Sequence, residues 1–151
     1  MKINVKSAGD AFFVAMNMEK RAIRIYERML EIVDDEGIKE TINTILEEER
    51  EHLCTFCSWL DDSYGISENR RLLELQAEEI LFPGGLMELV RKGGAESQTA
   101  LIEYAAEQEI LAMEYYEEFA KLCEGEAKNA FLAIALEEKE HLDTLMAMKG
   151  N

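Results

Sequence analysis

Apolar residues recur every three to four positions over four long stretches of this chain, the spacing that lays one face of an α-helix against a core. The first stretch predicts a helix from about Ser7 or Asp10, both suitable caps, to Val33, where Asp34-Asp35-Glu36-Gly37 ends it. The second runs from about Ile38 to Leu60 and is closed by Asp61-Asp62-Ser63-Tyr64-Gly65. The third covers about Ser97 to Cys123, stopped at Glu124-Gly125, and the fourth runs from Glu126 to near Lys149. Helices of this size are about 33 Å long at roughly 1.5 Å per residue, which suits a bundle. A single proline in the whole chain also favours helices over turn-rich β structure.

Tight turns join the first helix to the second and the third to the fourth, so each pair is expected to be an antiparallel hairpin. Between Leu60 and Ser97 the pattern changes. A short amphipathic segment (Ser67 to Leu81) is followed by the Phe82-Pro83-Gly84-Gly85 break and then by Gly93-Gly94. A link of that length can carry the chain back along the bundle, the one-crossover topology of ferritin-like folds. The expectation is an all-α, ferritin-like four-helix bundle of two antiparallel hairpins, forming one domain over residues 1–151.

The two halves repeat each other. Glu19-x-x-Ala22-x-x-x-Tyr26 recurs as Glu109-x-x-Ala112-x-x-x-Tyr116, and Ala15 and Ala105 stand four residues before each glutamate. The only two histidines each follow a glutamate by three positions, Glu49 with His52 and Glu138 with His141. Glu19 to Glu49 spans 30 positions and Glu109 to Glu138 spans 29. This arrangement predicts two hairpins related by a pseudo-twofold axis, each contributing half a site.

Helical geometry says which way these residues face. At roughly 100° per residue, Ala15, Glu19, Ala22 and Tyr26 share the stripe of Phe12, Met16 and Ile23. Glu19 is therefore a carboxylate on an apolar face, where an unpaired charge costs several kcal/mol and calls for a partner or a cation. Glu109 repeats this among Ile102, Ala105, Ala112 and Tyr116. Glu49 and His52 lie about 60° apart on a face with Ile42, Ile45 and Phe56, and Glu138 and His141 on one with Phe131, Ile134 and Leu145. Glu47, Glu107 and Glu114 point away from the stripe, and Glu51 and Glu140 face largely outward. One Glu-x-x-His is a weak signal, since helix-interior histidines are more often satisfied core residues. Four carboxylates and two imidazoles on facing helices are together the ligand set of a two-metal site: Glu19, Glu49, His52, Glu109, Glu138 and His141. Alanines beside the ligands leave room for metal and for an exogenous oxygen ligand.

Charge narrows the partners. The formal net charge of −16 over 151 residues opposes binding to a phosphate backbone, so nucleic acid is not expected. No stretch approaches the roughly 18 apolar residues that span a bilayer, and the N-terminus lacks a signal peptide's apolar core. Three cysteines make no disulfide framework, and a reducing cytoplasm is the expected compartment. Cys54-Thr55-Phe56-Cys57 has no second C-x-x-C pair, Cys54 points almost opposite to His52, and Cys57 lies on the flank, so neither reaches the metals. Cys123 reads as a core thiol, and the eight methionines mostly as gap-filling core residues. Tyr26 and Tyr116 read first as core aromatics whose hydroxyls bond a ligand carboxylate or water, and second as candidate redox residues.

Taken with the run from Ala105-Ala106-Glu107-Gln108-Glu109 through Leu136-Glu137-Glu138-Lys139-Glu140-His141, these residues resemble the rubrerythrin branch of the ferritin-like superfamily over nearly the whole chain outside the link. The resemblance implies two iron ions bridged by Glu49 and Glu138, one completed by Glu19 with His52 and the other by Glu109 with His141. It implies reduction of hydrogen peroxide or dioxygen, and a homodimer. Three departures qualify it. The rubredoxin-type domain of full-length rubrerythrins is missing, which implies a separate electron-donor protein. Ala112 stands where rubrerythrins typically carry an extra glutamate, which bears on redox-linked iron movement and peroxidase cycling. Arg50 replaces the methionine through which bacterioferritins bind haem, so no haem is expected.

Manganese and zinc accept the same donors as iron. The alternatives are an iron-handling protein with ferroxidase-like activity and no storage cage, and a helical adaptor with a vestigial site. The link offers Leu72, Leu73, Leu75, Ile80, Leu81, Phe82, Leu86, Met87, Leu89 and Val90, more apolar surface than capping one bundle needs, which predicts a dimer through the link with each site complete within one chain.

Overall fold

The structure is a computed structural model that describes residues 3–63, 69–85, 87 and 98–149. Among these residues there are helices and no strands. The helices are α1 (Ala8–Ile32), α2 (Glu36–Ser63), α3 (Arg70–Glu78), α4 (Gln98–Ala120) and α5 (Gly125–Lys149). The four long ones are those the periodicity predicts. Leu86, Leu89, Val90, Gly93-Gly94 and the expected helix start at Ser97 lie outside the described residues.

Local chemistry sets the helix ends. Ser7 rather than Asp10 caps α1: its hydroxyl accepts the Asp10 N–H, and the Asp10 carboxylate accepts the Lys6 N–H, close to a capping box. Asp35 Oδ1 accepts the Ile38 N–H at 3.0 Å, so α2 begins at Glu36, two residues before the position expected from apolar spacing. The third predicted helix was expected to reach Cys123. Instead α4 ends at Ala120, and tighter i→i+3 bonds carry Lys121, Leu122 and Cys123 into the turn. Gly125, at φ +61°, then opens α5.

The long helices pack as a bundle: α1 on α2, α4 on α5, α2 on α5 and α1 on α4. Polar pairs give the direction of each helix. Tyr26 meets Glu109 and Tyr116 meets Glu19, so α1 and α4 run antiparallel. His52 meets Glu137 and His141 meets Glu48, so α2 and α5 do too. The described parts of the link lie along α1. Arg70 stands over the Phe13 ring, Leu73 and Ala77 are buried, and Arg21 holds the Phe82 carbonyl at 2.9 Å. Gln98 accepts the Asp35 N–H at the far end of α1.

One apolar cluster fills the bundle. Phe12, Phe56, Tyr116, Phe119 and Phe131 form an aromatic layer in it, with Phe12 and Phe131 centroids 4.5 Å apart and Trp59 stacked on Phe12. Such offset and edge contacts contribute about 0.5–1.5 kcal/mol each beyond the apolar burial.

Candidate metal centre

Above the aromatic layer the core turns polar. Glu19, Glu49, His52, Glu109, Glu138 and His141 are all buried, none more than 4% exposed. Each comes from the inward stripe of its own helix, and the bundle brings all six together. They form two overlapping groups, Glu19, Glu49, His52 and Glu138, and Glu49, Glu109, Glu138 and His141, in each of which one donor atom per residue lies within 4.8 Å of the others. Either group can hold a metal ion. Glu49 and Glu138 belong to both groups.

Around His52 Nδ1 lie Glu138 Oε1 at 2.8 Å, Glu49 Oε1 at 3.4 Å and Glu19 Oε1 at 3.5 Å. His141 Nδ1 faces Glu49 at 3.2 Å, Glu109 at 3.6 Å and Glu138 at 3.9 Å. These are close approaches without hydrogen-bond alignment. Glu19 Oε2, Glu49 Oε1, His52 Nδ1, Glu109 Oε2, Glu138 Oε1 and His141 Nδ1 are all buried with no hydrogen-bond partner. Each of the six residues thus turns one unsatisfied donor atom inward, where buried polar groups otherwise find partners. Oxygen and imidazole donors in this number suit iron, manganese or zinc.

Four of the six residues, Glu19, His52, Glu109 and His141, are also held through a second atom from outside the cluster. Tyr26 Oη donates to Glu109 at 2.5 Å and Tyr116 Oη to Glu19 at 2.8 Å, as expected of core tyrosines serving a ligand carboxylate. Burial, and then the Glu109 carboxylate for Tyr26 and the Glu19 carboxylate for Tyr116, push both phenols well above their ordinary pKa, so they remain donors. On the histidines, Nε2 contacts Glu137 for His52, and Glu48 at 2.8 Å for His141. The sequence reading missed these two carboxylates. Each directly precedes a ligand glutamate, in the doublet Glu-Glu-x-x-His that occurs twice, and that repeat is the signal that marks them. Carboxylates behind ligating imidazoles fix ring orientation and raise basicity. Replacing Glu48 and Glu137 with glutamine is expected to weaken metal binding about 10–100-fold without changing stoichiometry, as read by competition with a chromophoric chelator.

Other sequence assignments fall where expected: Cys54 is exposed, Cys57 intermediate and Cys123 buried, all as free thiols. Glu47, Glu51, Glu107 and Glu140 are exposed, and Glu114 lies away from both ligand groups. Ala22 and Ala112 are buried on the ligand stripes, and Ala112 offers no seventh carboxylate.

Without metal, protons balance the charge. Burial alone would lower the histidine pKa values. The facing carboxylates, Glu19 and Glu49 for His52 and Glu109 and Glu49 for His141, overcome it and raise both to about 11. Burial raises Glu138 and Glu19 well above the usual carboxylate range, assisted by Glu109 at Glu138 and by Glu49 at Glu19. Burial also pushes Glu49 upward, but His141 and His52 beside it hold it below its ordinary value.

The sign for stability follows from these directions. A histidine raised from 6.5 to about 11 contributes stability that is complete below the unfolded value and is lost as pH rises through about 11. A carboxyl raised above 4.5 holds a proton that unfolding releases, so it too weakens the fold as pH rises past that value. The metal-free protein is therefore expected to melt lower at pH 9 than at pH 6 in chelator. Bound metal reverses the trend, because binding must displace these protons.

No family model matches the chain, and no curated protein or solved structure was found to match it. Among the described residues, no helix is long and apolar enough to cross a membrane.

Proposed function

We propose that the chain is a ferritin-like di-iron carboxylate protein that reduces hydrogen peroxide or dioxygen with electrons from a separate donor, as its resemblance to rubrerythrins implies. The observation that carries this reading is the set of six buried donor atoms, one from each ligand residue, that lack any hydrogen-bond partner. The helix directions support the ferritin-like crossover. With α1 antiparallel to both α2 and α4, the link leaves one end of the bundle and α4 begins at the other, and Arg70, Phe82 and Gln98 mark successive points along α1.

When bound there, a pair of iron ions supplies two-electron redox chemistry toward a small oxidant. The protein's own part is orientation and exclusion. Glu49 and Glu138 would be shared between the two ions, Glu19 with His52 and Glu109 with His141 would complete the two positions, and the tyrosine hydroxyls and outer carboxylates would hold these donors in place. Phe12, Phe56, Phe82 and Phe131 keep bulk water from the carboxylates, which strengthens every charge interaction inside.

Stopped-flow oxidation of the di-ferrous protein tests the reading. Faster oxidation by peroxide than by dioxygen, with turnover when reductant is supplied, supports it. Slow oxidation with ferric mineral formation supports iron handling instead, a reading with which Ala112 agrees. Absence of bound iron after anaerobic loading rejects both. For the assembly, Leu72, Leu75 and Met87 are 41, 47 and 62% exposed along the link, the surface expected to bring two chains together. Light scattering at micromolar concentration should give twice the chain mass, and a monomer would reject the dimer.

A further inference from the structure

Two seams separate the hairpins, α1 against α4 and α2 against α5, and the six donors lie between them. Helices within a hairpin pack closely, whereas contact across either seam is much sparser. The seams are closed by different chemistry. On the α2/α5 side Glu48 and Glu137, both partly exposed, stand behind the histidines. On the α1/α4 side the cover is the turn Phe82-Pro83-Gly84-Gly85, which belongs to the link and to neither hairpin.

That turn joins solvent to a residue that holds a ligand. Pro83 and Gly84 are exposed, while Phe82 is fully buried. The Phe82 ring stands edge-on to Tyr26, 5.8 Å between centroids, and Tyr26 holds Glu109. Tyr104 meets the same ring edge-on at 5.2 Å. In the repeat, Tyr116 holds Glu19, but its ring packs on Phe56, Phe119 and Phe131, all carried by long helices. The near-twofold centre is covered unequally, by helix-borne rings beside Glu19 and by a turn-borne ring beside Glu109.

The turn is also held in a way that a small movement undoes. Phe82 lies at φ +49°, a conformation that bulky residues seldom take and that persists only where the surroundings enforce it. The enforcing bonds come from both helices of the seam. Arg21 donates to the Phe82 carbonyl at 2.9 Å, and the Phe82 N–H donates to Gln108 Oε1 at 2.6 Å. Tyr104 Oη donates to the Gly85 carbonyl at 3.3 Å. The clasp is incomplete, because Arg21 Nε is buried without a partner. Releasing the turn relieves backbone strain and lets that nitrogen reach water, which offsets part of the cost of opening.

We infer that Phe82 is the door through which a small neutral oxidant, the size of dioxygen or hydrogen peroxide, reaches the Glu109–His141 side of the centre, and that its ring sets the size limit. The inference rests on the proposed redox function. An uncharged molecule of two heavy atoms needs only a partial swing of one ring among aromatic neighbours, whereas the α2/α5 seam presents carboxylates. A hydroperoxide with a branched alkyl group needs the ring removed.

Access is measured apart from turnover on the zinc-loaded chain, by the paramagnetic relaxation that dissolved dioxygen causes in the tyrosine ring NMR signals. Tyr26 should be relaxed more than Tyr116, and more strongly again in Phe82→Ala. Arg21→Gln, which keeps the buried ring and loosens its clasp, should change Tyr26 in the same direction. On the di-ferrous chain, tert-butyl hydroperoxide should react at least about tenfold more slowly than H2O2, and Phe82→Ala should remove most of that difference. Equal relaxation of the two rings, unmoved by either variant, would overturn the door while leaving the di-iron reading intact. So would a difference between the two peroxides that Phe82→Ala leaves unchanged. Relaxation at Tyr26 that follows both variants, in a chain whose di-ferrous form neither peroxide nor dioxygen oxidises, would overturn the di-iron reading, and with it the role of this door in oxidant entry.

Discussion

Replacing Glu49 and Glu138 together by alanine is expected to abolish binding of both metal ions, whereas Glu19→Ala should leave one position occupied. The difference comes from sharing. Glu49 and Glu138 each belong to both donor groups, so losing them leaves each position one carboxylate and one imidazole. Glu19 belongs to one group, and its loss leaves Glu49, Glu109, Glu138 and His141 in place. Metal analysis after anaerobic loading should read two ions per chain for the native protein, about one for Glu19→Ala, and none for the double variant. Two ions retained in the double variant would refute the bridging assignment. Circular dichroism separates this result from unfolding, since the helices rest on an apolar core that does not include these residues.

The second large effect has the opposite sign. In the metal-free protein, six ionisable side chains crowd a buried volume with one unsatisfied polar atom apiece. Replacing all six by leucine, together with Tyr26→Phe and Tyr116→Phe so that no hydroxyl loses its acceptor, should stabilise the metal-free fold by about 1–4 kcal/mol, because buried ionic clusters seldom outweigh their desolvation. Glu49→Leu alone should destabilise it by about 3–5 kcal/mol, because it removes a carboxylate that faces both imidazoles and leaves two buried cations undercompensated. Urea denaturation in chelator measures both. A full replacement no more stable than the native chain would mean that the cluster supports the fold in its own right. Stabilisation would mark the six residues as kept for function at a cost to stability.

Much of this site was legible because each ligand betrays itself on its own helix. Glu19 among Ala15, Ala22 and Tyr26 contradicts an apolar stripe, and the repeat at Glu109 makes the contradiction systematic. What could not be read were contacts that depend on the register between helices. Glu48 and Glu137 are half-exposed acids by periodicity alone, and only the packing of α2 on α5 shows each of them behind the opposite histidine. The Phe82 turn is similar. Its Pro-Gly-Gly sequence signals a break, but nothing in that sequence says that the preceding ring lands on Tyr26 or that Arg21 reaches its carbonyl. Helix ends moved for local reasons, as where Asp35 offers a cap that apolar spacing does not register.

The four polar pairs that fix the helix directions all join the first hairpin to the second: Tyr26 to Glu109, Tyr116 to Glu19, His52 to Glu137 and His141 to Glu48. The centre is thus the seam between two half-molecules, and its fasteners are crossed, each half supplying what the other's ligands need. Neither hairpin can satisfy its own donors, while each has a partner helix to shelter its apolar stripe. The chain is two near-copies of one hairpin that meet at this candidate metal centre. Severed within the link, the two pieces should find each other again when metal is added, and the ions would then serve as the clasp that tells each half it has met its complement.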